Sequence, residues 1–315
     1  MSTPDPMPAD APRTTPARVD ALSEEAYVLG EGARTTGDGG LLFVDLLAGR
    51  LLAHSGDPRD EVRPVLRLEQ PLGAVAPVAG RDQEFLAATG AGLALLGGDG
   101  SLHWLARPET GAGTAMRVND GVCDGQGRFW FSTTPYDETP VGSLYRCDVD
   151  GTVRRVLGDL AIANGPAVSA DGRHLFLADS GPGTITRYAL APDGTLDDGV
   201  LIVHERSDAS PDGMTTDAEG TLWVAMFGGA EVRRYAADGT LLLRVALPAE
   251  QPTSVALVPG GGLYVTTATK GMTVPGPLDG RLLRVTLDGS EQPSTPVPWR
   301  SFTAGPTVGS GVVGG

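Results

Sequence analysis

Six copies of a strand–turn–strand unit, spread evenly along 315 residues, predict an all-β fold, a six-bladed β-propeller. The second strand of each unit carries an aromatic residue: Phe43, Phe85, Trp130, Phe176, Trp223 and Tyr264. Successive aromatics lie 41 to 47 residues apart, the length of one four-stranded blade. Counting back 11 or 12 residues from four of them reaches Glu31, Asn119, Asn164 and Asp212. Gly follows each of these at once, or after Asp120 in the case of Asn119. The first strand of a propeller blade is innermost. Four oxygen-bearing side chains therefore fall at one height around the axis and predict a central metal site. Oxygen donors without His or Cys suit a hard cation. The glycines let backbone approach the axis closely. Asn-Gly and Asp-Gly are also ordinary turn dipeptides, and only their shared register argues for a site.

The repeat makes one closed domain of residues 22–303. Residues 1–21 are rich in Pro and Ala and read as a disordered tail, and residues 304–315 as a flexible Gly-rich tail. No stretch has the form of a secretory signal or is long and apolar enough to span a membrane. The formal net charge of −15 argues against nucleic acid and anionic membranes as partners, since both need clustered Lys and Arg. Cys123 and Cys147 fall on the first and third strands of one blade, too far apart for a disulfide. Free thiols point to a reducing, cytoplasmic location. A closed propeller has no free sheet edge, which favours a monomer.

In chain order, blade one holds strands at 41–45 and 50–54 after Leu-Gly-Glu31-Gly. Blade two has an apolar inner strand, 73–78, expected to form a greasy wall without a ligand. Blade three opens on Arg117-Val118-Asn119-Asp120-Gly121. Arg117 and Asn119 are two apart and point to one side of a strand, a cation beside an amide that suits a hydroxylated or anionic ligand. The loop 134–141 carries Tyr136, Asp137 and Glu138 and could roof the cavity. Blade four runs from Ile162 to Ser180 and adds outer strands at 183–190 and 200–204. Asp45 and Asp179 close second strands and read as turn caps. Blade five presents Pro211-Asp212-Gly213-Met214, with Phe227-Gly228-Gly229 at the same edge. Blade six offers Thr253 at the donor position and a Pro- and Gly-rich insertion, 270–279, as a rim loop.

The segments VLGEG (28–32), RVNDGVCDGQGRFWFST (117–133), IANGPAVSADGRHLFLADS (162–180) and PDGMTTDAEGTLWVA (211–225) resemble the senescence-marker-protein/gluconolactonase family, the regucalcin-like proteins. The resemblance covers about residues 25 to 287. It implies a six-bladed propeller with one divalent cation in a central metal site on the top face, Ca²⁺ foremost and Mg²⁺, Mn²⁺ or Zn²⁺ as alternatives. By the same resemblance Glu31, Asn164 and Asp212 match metal ligands. Asp212 also matches the general base, Arg117 and Asn119 match substrate contacts, and Asp137 or Glu138 matches a further acidic contact. The sequence departs from the family at Ala33-Arg34-Thr35 and at Val258-Pro259-Gly260-Gly261, which bears on the substrate.

The implied activity is metal-dependent hydrolysis of sugar-acid lactones, a small-molecule substrate. Two alternatives stay open. One keeps the metal and changes the reaction, to a cyclase, dehydratase, epimerase or lactonase acting on a larger natural-product-like substrate. The other is a non-catalytic metal- or ligand-binding propeller. Fold alone does not choose among them.

Overall fold

The computed structural model describes residues 13–137, 139–205, 209–298, 300–305 and 308. Two short strands come first, β1 (Arg13–Thr15) and β2 (Arg18–Ala21). Blade one is β3 (Gly30–Thr35), β4 (Leu41–Asp45), β5 (Arg50–His54) and β6 (Arg63–Arg67). Blade two is β7 (Leu72–Pro77), β8 (Phe85–Thr89), β9 (Gly92–Leu96) and β10 (Leu102–Ala106). Blade three is β11 (Met116–Cys123), β12 (Phe129–Pro135), β13 (Gly142–Cys147) and β14 (Val153–Leu160). Blade four is β15 (Ala163–Val168), β16 (His174–Asp179), β17 (Thr184–Ala189) and β18 (Val200–His204). Blade five is β19 (Ser210–Thr216), β20 (Leu222–Phe227), β21 (Glu231–Tyr235) and β22 (Leu241–Ala246). Blade six contributes β23 (Pro252–Leu257), β24 (Leu263–Thr267) and β25 (Leu283–Thr286). No helix among the described residues is long and apolar enough to cross a membrane.

All six aromatics of the repeat lie on second strands, as expected, and five are buried to within 1% exposure. Burying a side chain of this size contributes about 1.5 to 3 kcal/mol, so the repeat is visible because it forms the core between blades. Two of these positions need a polar partner as well. The indole N–H of Trp130 donates to Asp124 Oδ2 at 2.9 Å, and that of Trp223 to Asp217 Oδ2 at 3.2 Å. The Asp of each inner turn thus satisfies the buried Trp six residues later.

The expectation of a disordered tail through residue 21 is corrected for the residues that are described. β2 pairs antiparallel with β25 and becomes the fourth strand of blade six. β1 lies parallel on β22 as a fifth strand of blade five. The last blade is therefore completed by the start of the chain, which ties the ring shut and leaves β25 no unpaired edge. The far end is corrected in the same way. The described residues 296–298 and 300–305 touch, in order, blades five, four, two and three. Arg300 Nη2 donates to Ala170 O at 3.1 Å, Phe302 N to Pro77 O at 2.9 Å, and Gly305 N to Val149 O at 2.6 Å. Phe302 and Val308 are buried in the core of blades two and three, so packed residues extend past the predicted boundary at 304.

Cys123 and Cys147 are free and buried in that same core. Burial raises both thiols, that of Cys147 to about 12, so neither is a ready nucleophile.

Candidate metal centre and active site

The inner strands β3, β7, β11, β15, β19 and β23 pack side by side, and β23 against β3 closes the ring. Each carries one extra residue relative to its second strand, near its upper end. The register slips between Glu31 and Arg34, Leu72 and Ala74, Val118 and Gly121, Asn164 and Ala167, Pro211 and Met214, and Pro252 and Ser254. A bulge of this kind bends the strand and re-aims a side chain. Glu31, Asn119, Asn164 and Asp212 all sit at these bulges. The glycines beside them are required by the same geometry. A Cβ on Gly165, whose φ is +43°, would stand 2.5 Å from Asp212 O on the next inner strand.

Five of the predicted site residues, Glu31, Arg117, Asn119, Asn164 and Asp212, line one cavity of about 380 Å³ and are themselves buried. A polar chain runs around the wall. Arg117 Nη1 donates to Asn119 Oδ1. Asn119 Nδ2 donates to Asn164 Oδ1 and to Ala163 O, the latter at 2.8 Å. Asn164 Nδ2 donates to Ser180 Oγ at 2.9 Å, and Ser180 Oγ donates to Pro211 O at 2.6 Å. These bonds leave each amide oxygen a second lone pair.

The carboxylates are unfinished. Asp212 Oδ1 is buried with no hydrogen-bond partner among the described residues. Among the described residues Glu31 accepts only a long bond from Gly32 N, at 3.3 Å. Burial, then repulsion from Asp212 and Asp120, pushes Glu31 well above the usual carboxylate range. Burial, then Asp120, does the same to Asp212, against the pull of Arg117. Two buried carboxylates held above their usual range, one of them with an orphaned oxygen, together with an amide oxygen make a donor set that fits a divalent cation of the oxygen-seeking class. Among the described residues no cluster of three His, Cys, Asp or Glu side chains is placed to hold a metal. The candidate set is two carboxylates and an amide.

Next to Asn119 on the same strand stands a third buried carboxylate, Asp120. Arg34 reaches across from blade one. Its Nη2 stands 3.5 Å from Asp120 Oδ1 and donates to Gly121 O at 3.1 Å. Burial raises the Asp120 carboxyl and Arg34 opposes the rise. Below Arg34 a small void of about 70 Å³ is lined by Pro296, Val297, Pro298 and Arg300 of the C-terminal segment. The family departures Ala33, Arg34 and Thr35 line that lower void and not the upper cavity.

Asp137 does not join the others. It is exposed, and its Oδ2 accepts from Thr114 Oγ1 at 2.8 Å and its Oδ1 from Thr139 N at 3.2 Å, which lowers its pKa as a turn cap. Glu138 lies outside the described residues. From that loop it is Tyr136 that meets the site, with the Arg117 guanidinium 5.9 Å over its ring. The greasy wall expected of blade two is absent from the described lining, which is drawn from the other five blades. Sequence reasoning missed Ser180 and Lys270 as wall residues. The Lys270 signal was available, since it is the one lysine in the chain.

Residues 29–269 match the family model described as SMP-30/Gluconolactonase/LRE-like region. A 6-deoxy-6-sulfogluconolactonase of Pseudomonas putida is 35% identical over 269 residues, covering 80% of this chain and 89% of that protein. An L-arabinolactonase of Azospirillum brasilense is 38% identical over 162 residues, 50% of this chain and 54% of that protein. Among solved structures, the calcium-binding protein regucalcin of Agrobacterium tumefaciens superposes with a TM-score of 0.80 at 26% identity, over 91% of this chain and 98% of that one. The propeller, its ring of bulged donors and a family match spanning most of the chain agree: the protein belongs to the SMP-30/gluconolactonase/LRE-like family.

Proposed function

We propose that this protein is a divalent-metal-dependent hydrolase of sugar lactones. The observation that carries the reading is the convergence of Glu31, Asn164 and Asp212, with its orphaned oxygen, on a cavity that also holds Arg117 and Asn119. The relatives named as lactonases supply the substrate class.

Glu31, Asn164 and Asp212 would hold the cation, which supplies Lewis acidity at the lactone carbonyl and charge against the developing oxyanion. Beside it Asp212 is ionised at neutral pH, because a neighbouring positive charge favours the charged form. Its partnerless Oδ1 then takes the proton of the attacking water. Arg117 has one of five N–H donors committed to Asn119; the remainder are available to substrate oxygens. Asn119 fixes Arg117 on one side and Asn164 on the other, so it positions both and offers one lone pair to a hydroxyl. The position of Arg34 removes a reason for a larger substrate, since the departures from the family pattern at 33–35 face the lower void.

The test is a screen of γ- and δ-sugar lactones by pH indicator on metal-stripped protein refilled with Ca²⁺, Mg²⁺, Mn²⁺ or Zn²⁺. Hydrolysis that appears only after refilling is the expected result. Stoichiometric metal binding with no turnover of any lactone would contradict it.

A further inference from the structure

Of the 24 basic residues in this chain, 23 are arginine. The single lysine, Lys270, lines the cavity. Its backbone is held and its head is not. Ala268 N donates to Gln251 O at 3.0 Å, Thr269 N to Val28 O at 3.2 Å, and Met272 N back to Thr269 O at 3.1 Å. These bonds fix the chain on either side of Lys270, while its side chain is exposed and has no ion-pair or hydrogen-bond partner among the described residues. Its charge nevertheless acts on Asp212.

A charge count gives this placement meaning. The cavity walls carry two carboxylates, Glu31 and Asp212, and two side-chain cations, Arg117 and Lys270. They balance. Any divalent cation held there leaves the cavity two positive charges in surplus, inside a chain whose net charge is −15. A neutral lactone does not answer that surplus. Arginine presents a rigid planar fork, whereas lysine offers a compact charge on a flexible stem that can follow a substituent at the rim.

We propose that Lys270 is a specificity-determining residue that takes an anionic substituent (carboxylate, sulfonate or phosphate ester) carried on the lactone away from the scissile bond. The proposal rests on the lactonase reading. It is tested with wild type, Lys270→Met and Lys270→Arg on three lactones: a neutral aldonolactone, an aldaric acid monolactone with a free carboxylate, and an aldonolactone 6-phosphate. The readout is the ratio of kcat/KM for each anionic lactone to that for the neutral one. The expected result is a ratio well above one in wild type that falls about tenfold in Lys270→Met, chiefly through KM, as one charge-assisted contact implies. Lys270→Arg should keep most of it. The two anionic arms separate carboxylate from phosphate recognition. A second readout needs no turnover. Lys270 carries the only ε-amine, so its acetylation by a succinimidyl ester can be followed by mass spectrometry. An aldarate dianion should slow that acetylation, and a neutral sugar alcohol should not. An unchanged ratio in Lys270→Met, or no protection by the dianion, overturns the proposal. If no lactone is hydrolysed, the lactonase reading fails by itself and the protection result still decides the role of Lys270.

Discussion

Blades four and six begin on the same backbone and put it to different uses. In both, the inner strand bulges by one residue at the top. In blade four the bulge carries Asn164, whose amide reaches the axis and lines the cavity. In blade six it carries Thr253, whose shorter hydroxyl stays in the wall, donating to Gly30 O of the neighbouring blade and lying 2.9 Å from Thr266 Oγ1. The bulge belongs to the fold, and the reach of the side chain at it decides between ligand and clip. Blade two is the limiting case, since Gly73 at its bulge has no side chain and a Cβ there would meet Asn119 O at 2.3 Å.

The sharpest way to break this comparison is to empty a donor bulge. Asp212→Ala removes the orphaned oxygen and a cation ligand together, and a fall in kcat/KM of about 1000-fold is expected with the fold retained by circular dichroism. A variant that keeps most of its activity would end the assignment. Next in size is the support beneath the donors. Arg34→Met leaves Asp120 buried without its partner, and about 3 kcal/mol of stability should be lost in denaturant unfolding. The double variant Arg34→Met/Asp120→Asn should recover much of that loss. Should the single variant prove neutral, the pair contributes nothing to the channel.

Proton linkage gives the third effect. Glu31 and Asp212 have raised pKa values in the metal-free fold, so the folded state holds more protons than the unfolded chain above the ordinary carboxylate range. Stability of the metal-free protein therefore falls as pH rises through that window, by at most about 1.4 kcal/mol per proton per pH unit. A cation competes with those protons, so the Tm increment from added metal should grow with pH. A constant increment from pH 5 to 8 would mean that the carboxylates are not the ligands. The smallest effect is expected at the donor-free bulge. Thr253→Val should cost about 1 kcal/mol, one hydrogen bond, and leave metal affinity where it was.

Range along the chain decides which parts of the fold and the site were legible in the sequence. The blade aromatics and donor-glycine steps are local patterns repeated in register, and each lies on the predicted strand. The pairing of β2 with β25 joins Arg18 to Thr286. Nothing in the four residues Arg-Val-Asp-Ala announces a partner so far along the chain. Arg34 and Asp120 meet across the channel, and their contact is hidden for the same reason. Asp137 caps its own turn, a use of a loop carboxylate that sequence alone does not distinguish from a substrate contact. Lys270 is a different case. Its solitude among 23 arginines was countable, but a rim loop gives no period by which to place its side chain over the site.

The most direct test of the ring is calorimetric titration of metal-stripped protein with Ca²⁺ and Mn²⁺, comparing wild type, Thr253→Val and the double variant Glu31→Gln/Asp212→Asn. One cation per chain in the first two, and none in the third, is the predicted result. Stoichiometric binding that survives in Glu31→Gln/Asp212→Asn would place the metal elsewhere and contradict the account.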